Sequence, residues 1–289
     1  MNNEPIKNNE PIKPKVISEL ELNQVNPYLR YDEKGNIKDS ADAHWIVDTT
    51  GRDHSDIIKS SLFIDVLKPL IDQFPSPGDI PKKLILSGSS LMVKSLQETE
   101  GEEESHYGYD ENTEGTYNKR AEIICFRAIE HAKRGGEVFA TCYSAQMIAR
   151  LVFGSDSIKP VDEWRIGRLP LNIIKDHPLV GNVGEQLQAA VSYTRGIFLP
   201  NKADSKIDFD IIATGVDGET LVFCVDFPKT GGYLLCSLAH TEMPQFIVDM
   251  LIKSRKDDPT YKNNRVYKLT EKQKELPDSH TIVDKFLGN

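Results

Sequence analysis

Residues 137–154, EVFATCYSAQMIARLVFG, constrain this chain more than any other stretch. EVFA reads as a buried strand, TCYSA as a turn of small side chains around a cysteine, and QMIARLVF as a helix. A strand that runs straight into a helix is the building unit of an α/β fold. Cys142 falls at that turn. A nucleophile placed there projects from the carboxyl edge of the sheet, close to the positive end of the next helix, which favours thiolate. Ala140, Ser144 and Ala145 keep the bulk low where a tight elbow must pass its neighbouring strands. The Tyr143 N–H would point into the same space as the sulfur, as one half of an oxyanion hole. Taken alone, however, a cysteine in an α/β core is more often an inert small side chain.

The surrounding chain repeats the alternation of helix and strand. AHWIVDTT (43–50) and KLILSG (83–88) read as strands, and 53–74 has apolar positions at helical spacing. NKRAEIICFRAIEHAKRGG (118–136) is a helix with a glycine stop. After the elbow helix, DEWRIGRLPLNII, QLQAAVSYTRGIFLP, DFDIIATGVDGETLVFCVDF and YLLCSLAH read as successive strands, some joined by turns. A helix is expected over 241–255. These signals predict an α/β three-layer sandwich around a central, mostly parallel sheet. The expected organisation is a flexible extension over 1–42, one domain over 43–255, and a tail over 256–289 that has room for another helix. The extension opens with NNEPIK twice in tandem and has the polar composition of a disordered segment. The acidic stretch 97–116, with Glu98, Glu100, Glu102, Glu103 and Glu104, reads as a solvated loop, with a mobile lid as the alternative.

Composition narrows the partners. A net charge of -9 and the lack of a basic stripe interleaved with aromatics argue against nucleic acid. No run approaches a membrane span, and the polar start has no apolar core of a signal peptide, so no membrane is expected and a cytoplasmic setting is the default. The four cysteines, Cys125, Cys142, Cys224 and Cys236, form no metal-binding spacing. The P-loop pattern is missing, and no cofactor or metal is expected.

Two further segments bear on Cys142. LILSGSS (84–90) is a strand that ends in a glycine-containing loop, which can offer backbone N–H groups to an anionic intermediate. YLLCSLAHTEM (233–243) is a strand that ends in His240-Thr241-Glu242. A histidine at a strand end can take a thiol proton, and a carboxylate two positions later can fix its tautomer. Each segment is commonplace alone. All three in this order are far less so.

The combination resembles class I glutamine amidotransferase domains. They carry an oxyanion loop L-S-G-G-P, an elbow G-x-C-x-G-x-Q and a late H-P-E. On that resemblance Cys142, His240 and Glu242 are the triad, and Gly88, Ser89 and Tyr143 form the oxyanion hole. Gln146 holds substrate, as do Ser192 and Tyr193 from SYTR, which stands where the family has a serine-histidine pair. The resemblance spans about residues 43–255 and implies a flavodoxin-like architecture. The sequence departs from the family at Ala140 and Ser144 for the elbow glycines, at Thr241 for the proline, at Leu238-Ala239 before the histidine, and at Ser89 and Ser90 in the oxyanion loop. These changes touch substrate-holding positions more than the triad. The resemblance also brings Arg165, in DEWRIG, to the rim of the site, where it could meet a substrate carboxylate; a surface strand charged at each end is the plainer account.

The activity so implied is hydrolysis of the glutamine side-chain amide through a thioester. Its partners would be a small-molecule amide and a separate synthase or ligase subunit that receives the ammonia. Two other readings stay open. One keeps the triad for γ-glutamyl hydrolase or acyltransferase chemistry. The other is a non-catalytic regulatory or scaffolding domain.

Overall fold

The computed structural model describes residues 61–64, 81–86, 88, 111–215, 217–241 and 264–288. Among these residues nine strands join in one sheet: β1 (Ser61–Ile64), β2 (Lys83–Leu86), β3 (Glu137–Thr141), β4 (Ile158–Ile173), β5 (Gln186–Ile197), β6 (Phe209–Thr214), β7 (Thr220–Phe227), β8 (Gly232–Ser237) and β9 (Asn264–Tyr267). The spatial order is β1-β2-β3-β8-β7-β6-β4-β5, with β9 alongside β4. The helices are α1 (Glu111–Lys133), α2 (Tyr143–Phe153), the single turn α3 (Glu271–Lys274) and α4 (Thr281–Leu287).

The sheet is mixed, which corrects the expectation of a mostly parallel one. β1, β2, β3 and β8 run parallel. From β8 outward, β7, β6, β4 and β5 alternate in antiparallel pairs, and β9 returns parallel to β4. The cause is visible in the connections. Parallel neighbours need a long crossover, supplied by α1 between β2 and β3, whereas a tight turn can make only an antiparallel pair. The Phe227–Gly232 turn and the Gly215–Glu219 turn are of that second kind.

Three layers result. Strand side chains alternate between faces, so Gly232 and Tyr233 look in opposite directions. On the Gly232 side, α1 lies so close that an added Cβ would run into the Ala132 carbonyl; only glycine permits that approach. α2 packs beside α1 on this face. On the Tyr233 side, the Phe286 ring of α4 sits 5.7 Å from Phe139 and 6.5 Å from Tyr233. Residues from both faces belong to one continuous core, which includes Ile124, Phe139, Met147, Leu235 and Phe286.

Two sequence expectations change in detail. The helical spacing over 53–74 contains β1, whose Leu62-Phe63-Ile64 run pairs in register with Leu84-Ile85-Leu86. A short apolar run fits a buried strand as well as a helix turn, and the neighbouring strand decides. The acidic stretch 97–116 overlaps α1, which already begins at Glu111. The last residues are part of the packed structure: β9 joins the sheet, and Ile282, Val283, Phe286 and Leu287 are buried in the core. The extension 1–42, the strand at 43–50, most of the acidic stretch and residues 242–255 lie outside the described residues.

Candidate active site

The elbow starts with backbone geometry. β3 ends at Thr141 and α2 starts at Tyr143, leaving Cys142 alone between them. Its φ of 46° and ψ of -110° make it the only described non-glycine residue with positive φ. Such a conformation costs about 1–3 kcal/mol and survives only where its surroundings enforce it. Here the Cys142 N–H donates to the Ser237 carbonyl of β8 at 2.7 Å, and its carbonyl accepts the Gln146 N–H at 2.9 Å as the first turn of α2. The strain therefore falls on the cysteine itself. Ala140 and Ser144, which stand at the elbow's glycine positions, keep negative φ.

Three segments meet at this point. Gly88 lies two residues past β2. A methyl group there would be 2.9 Å from His240 Cε1, 3.5 Å from His240 Nδ1 and 3.3 Å from Cys142 Cβ. One methyl-sized volume thus touches both the cysteine and the imidazole. Glycine is what lets the three segments approach this closely, since a methyl there would crowd the imidazole. His240 follows β8 and is held by its own N–H, which donates to the Ala190 carbonyl of β5 at 2.8 Å. Cys142 is 4% exposed and His240 8%, so both are screened from bulk water. Tyr143 opens α2, where backbone N–H groups point out of the helix end.

β5 covers the site from the side. Its far edge meets His240 through Ala190 and the carboxyl-terminal segment through Gln188 and Asp278. The Cys142 thiol donates to the Ser192 carbonyl at 3.8 Å. The Gln146 amide donates to the Arg195 carbonyl at 2.9 Å, tying α2 to the same strand. Ser192 and Gln146 are thus beside Cys142, but the contacts they show are to the protein's own backbone.

Arg165 and Tyr193 are engaged elsewhere. Arg165 donates to Glu219 Oε1 and pairs with Asp217, each at 2.5 Å. The Tyr193 hydroxyl donates to the same Glu219 oxygen at 2.6 Å. Glu219 has no exposed surface. Burial alone would raise its carboxyl pKa, but the hydrogen bond from Tyr193 and the Arg165 charge together hold it below the usual range. Burial pushes the Tyr193 phenol up, and the Glu219 charge adds to it. Sequence reasoning missed Glu219, one of two acids in the turn VDGETL with nothing to mark its partners.

The other cysteines differ from Cys142 in surroundings. Burial raises the thiols of Cys125, Cys224 and Cys236 well above their ordinary value, which keeps them as protonated core side chains. Among the described residues no group of histidine, cysteine and carboxylate side chains could hold a metal ion. No described helix is long and apolar enough to cross a membrane. Ser89 and Glu242 lie outside the described residues.

No protein-family model matches the sequence, and a search of curated proteins finds no match. Solved structures do align. A glutamine amidotransferase from Thermotoga maritima is 12% identical over 76% of this chain and 84% of its own, with a TM-score of 0.47. A glutamine amidotransferase from Methylobacillus flagellatus is 12% identical over 75% and 77%, with a TM-score of 0.46. A candidate GMP synthase subunit from Thermoplasma acidophilum is 15% identical over 73% of each chain, with a TM-score of 0.42. These are distant likenesses to amidotransferase structures.

Proposed function

We propose that this protein is a cysteine-dependent amide hydrolase that acts through a thioester, with the glutamine side-chain amide as its leading substrate. The observation that carries the reading is the close meeting of Gly88, Cys142 and His240 at a strained elbow, where a Cβ added at 88 would crowd the imidazole and touch the cysteine. A buried structural cysteine has no use for positive φ, and a core histidine has no need to border a glycine beside it.

In the proposed reaction His240, oriented by Glu242, takes the Cys142 proton. The thiolate attacks the γ-carboxamide carbon and a C–S bond forms. Backbone N–H groups of Tyr143 and of the Gly88-Ser89 loop hold the oxyanion; one such donor contributes about 3 kcal/mol. The C–N bond then breaks, and ammonia leaves with the proton from His240. Water cleaves the thioester, releasing glutamate and the free thiol. The ammonia would pass to a separate synthase or ligase subunit.

One observation favours a second reading, in which the same centre acts on a different amide, thioester or acyl group. Gln146 gives its amide to the Arg195 carbonyl, and Arg165 and Tyr193 give their polar groups to Glu219. The positions the family resemblance assigns to substrate are thus drawn into internal contacts.

The test compares wild type with Cys142→Ala on glutamine and on a panel of γ-glutamyl amides and acyl thioesters. Cys142-dependent release of glutamate from glutamine supports the first reading, and turnover of another panel member the second. If Cys142 neither turns over any member nor is trapped by an electrophilic glutamine analogue, with co-purified partners present, both fail and a non-catalytic role replaces them.

A further inference from the structure

We infer that Ser144 is a positioning residue that fixes Cys142 against the strand end carrying Gly88. The inference rests on the functional reading above and concerns how its geometry is held.

Ser144 is fully buried. Its hydroxyl accepts the Thr141 N–H at 3.1 Å. It faces two carbonyls as donor, Thr141 at 2.9 Å and Leu86 at 3.2 Å. The Thr141 hydroxyl also reaches the Leu86 carbonyl, at 3.5 Å. Leu86 ends β2 and pairs with Ala140 in the last rung between β2 and β3. The Ser144 hydroxyl therefore bridges these two strands just past their last rung, on the elbow itself. On one side of the bridge is Thr141, which leads into Cys142. On the other is Leu86, which leads into Gly88 two residues on.

This placement matters because Gly88, Cys142 and His240 meet with no room for even one methyl at position 88. Cys142 is set from the β8 side by the Ser237 carbonyl. The Ser144 hydroxyl supplies a link from the β2 side. A glycine at 144 would leave the elbow its shape but remove the bridge. An alanine would remove the bridge and take one hydrogen-bond partner from the Thr141 N–H and one from the Leu86 carbonyl in a dry site, so some loss of stability accompanies either change. The signature of positioning is a loss confined to chemistry that needs Cys142 and the oxyanion donors aligned.

The experiment uses two reagents on full-length wild type, Ser144→Ala and the similarly sized Ser144→Cys, each with its thermal unfolding recorded and adducts mapped to Cys142. Iodoacetamide requires only a reachable thiolate. An electrophilic glutamine analogue, whose carbonyl must sit in the oxyanion hole, requires alignment. Both variants are expected to lose about tenfold in the maximal rate of inactivation by the analogue. The half-saturating analogue concentration and the iodoacetamide rate should stay within about twofold of wild type. An unchanged maximal rate in a folded variant overturns the inference and leaves the functional reading intact. Equal loss with both reagents also overturns it, since general loosening then suffices. Wild-type Cys142 that resists the analogue overturns glutamine as the substrate, and this inference with it.

Discussion

Replacing Gly88 by alanine tests the geometry of the site with one methyl group. Built on the present backbone, that methyl lies 2.9 Å from His240 Cε1 and 3.3 Å from Cys142 Cβ. Carbon atoms prefer a separation of about 3.5–4.0 Å. The imidazole must therefore retreat by roughly 0.6–1 Å, or the strand end must move by a similar amount. A misplacement of about 1 Å at a reacting centre costs about 100-fold in rate. Overpacking of this kind costs about 1–3 kcal/mol of stability. The expected outcome for Gly88→Ala is an inactivation rate by the electrophilic glutamine analogue about 100-fold below wild type, with urea unfolding showing a folded protein. A folded variant that is labelled at the wild-type rate refutes the reasoning, because the methyl would then lie away from the reacting groups.

Three other outcomes follow from the structure. Cys142 holds positive φ, so Cys142→Gly should be about 1–2 kcal/mol more stable than Cys142→Ala by denaturant unfolding; equal stabilities would mean that the elbow is unstrained. Glu219 has a depressed carboxyl pKa in the folded protein. Its contribution is therefore fully present above the unfolded value of about 4.3 and is lost as pH falls through the folded one. Glu219→Gln should lower stability by about 3–5 kcal/mol at neutral pH, and the gap to wild type should shrink in acid; a gap independent of pH would contradict the ionised Glu219. Phe286 is buried against Phe139 and Tyr233, so Phe286→Ala should cost about 3–5 kcal/mol, whereas a neutral result would mean that α4 is dispensable to the core.

The elbow was legible because its signal is local. A β-prone run, a few small residues and an apolar helix follow one another within EVFATCYSAQMIARLVFG, and each has its own periodicity. The parallel strands β2, β3 and β8 were legible for the same reason. The direction of the later strands was harder to read. It depends on which neighbour each strand finds, and the short turns at Gly215–Glu219 and Phe227–Gly232 fold those strands back on one another. β1 was hidden because Leu62 and Phe63 fall on a helical spacing, and only the pairing with β2 shows the segment to be a strand. The role of the last residues was hidden because Val266 stands among polar neighbours and the apolar positions of the short TIVDKFL segment do not name their partner; only pairing with β4 and packing on Phe139 reveal their place. Arg165 and Tyr193 show the limit most clearly. Their chemistry suits a substrate carboxylate, but the partner that takes them up is Glu219, 54 and 26 residues away, and separations of that size carry no sequence period.

Cys142, Gly88 and His240 are proposed above to form one nucleophilic centre. The measurement that tests it most directly is site-mapped covalent trapping by the electrophilic glutamine analogue in wild type and in His240→Ala. The account predicts an adduct on Cys142 alone among the four cysteines, forming about 100-fold or more slowly without the imidazole. An adduct on Cys125, Cys224 or Cys236, or labelling of Cys142 that is as fast without His240, would contradict it.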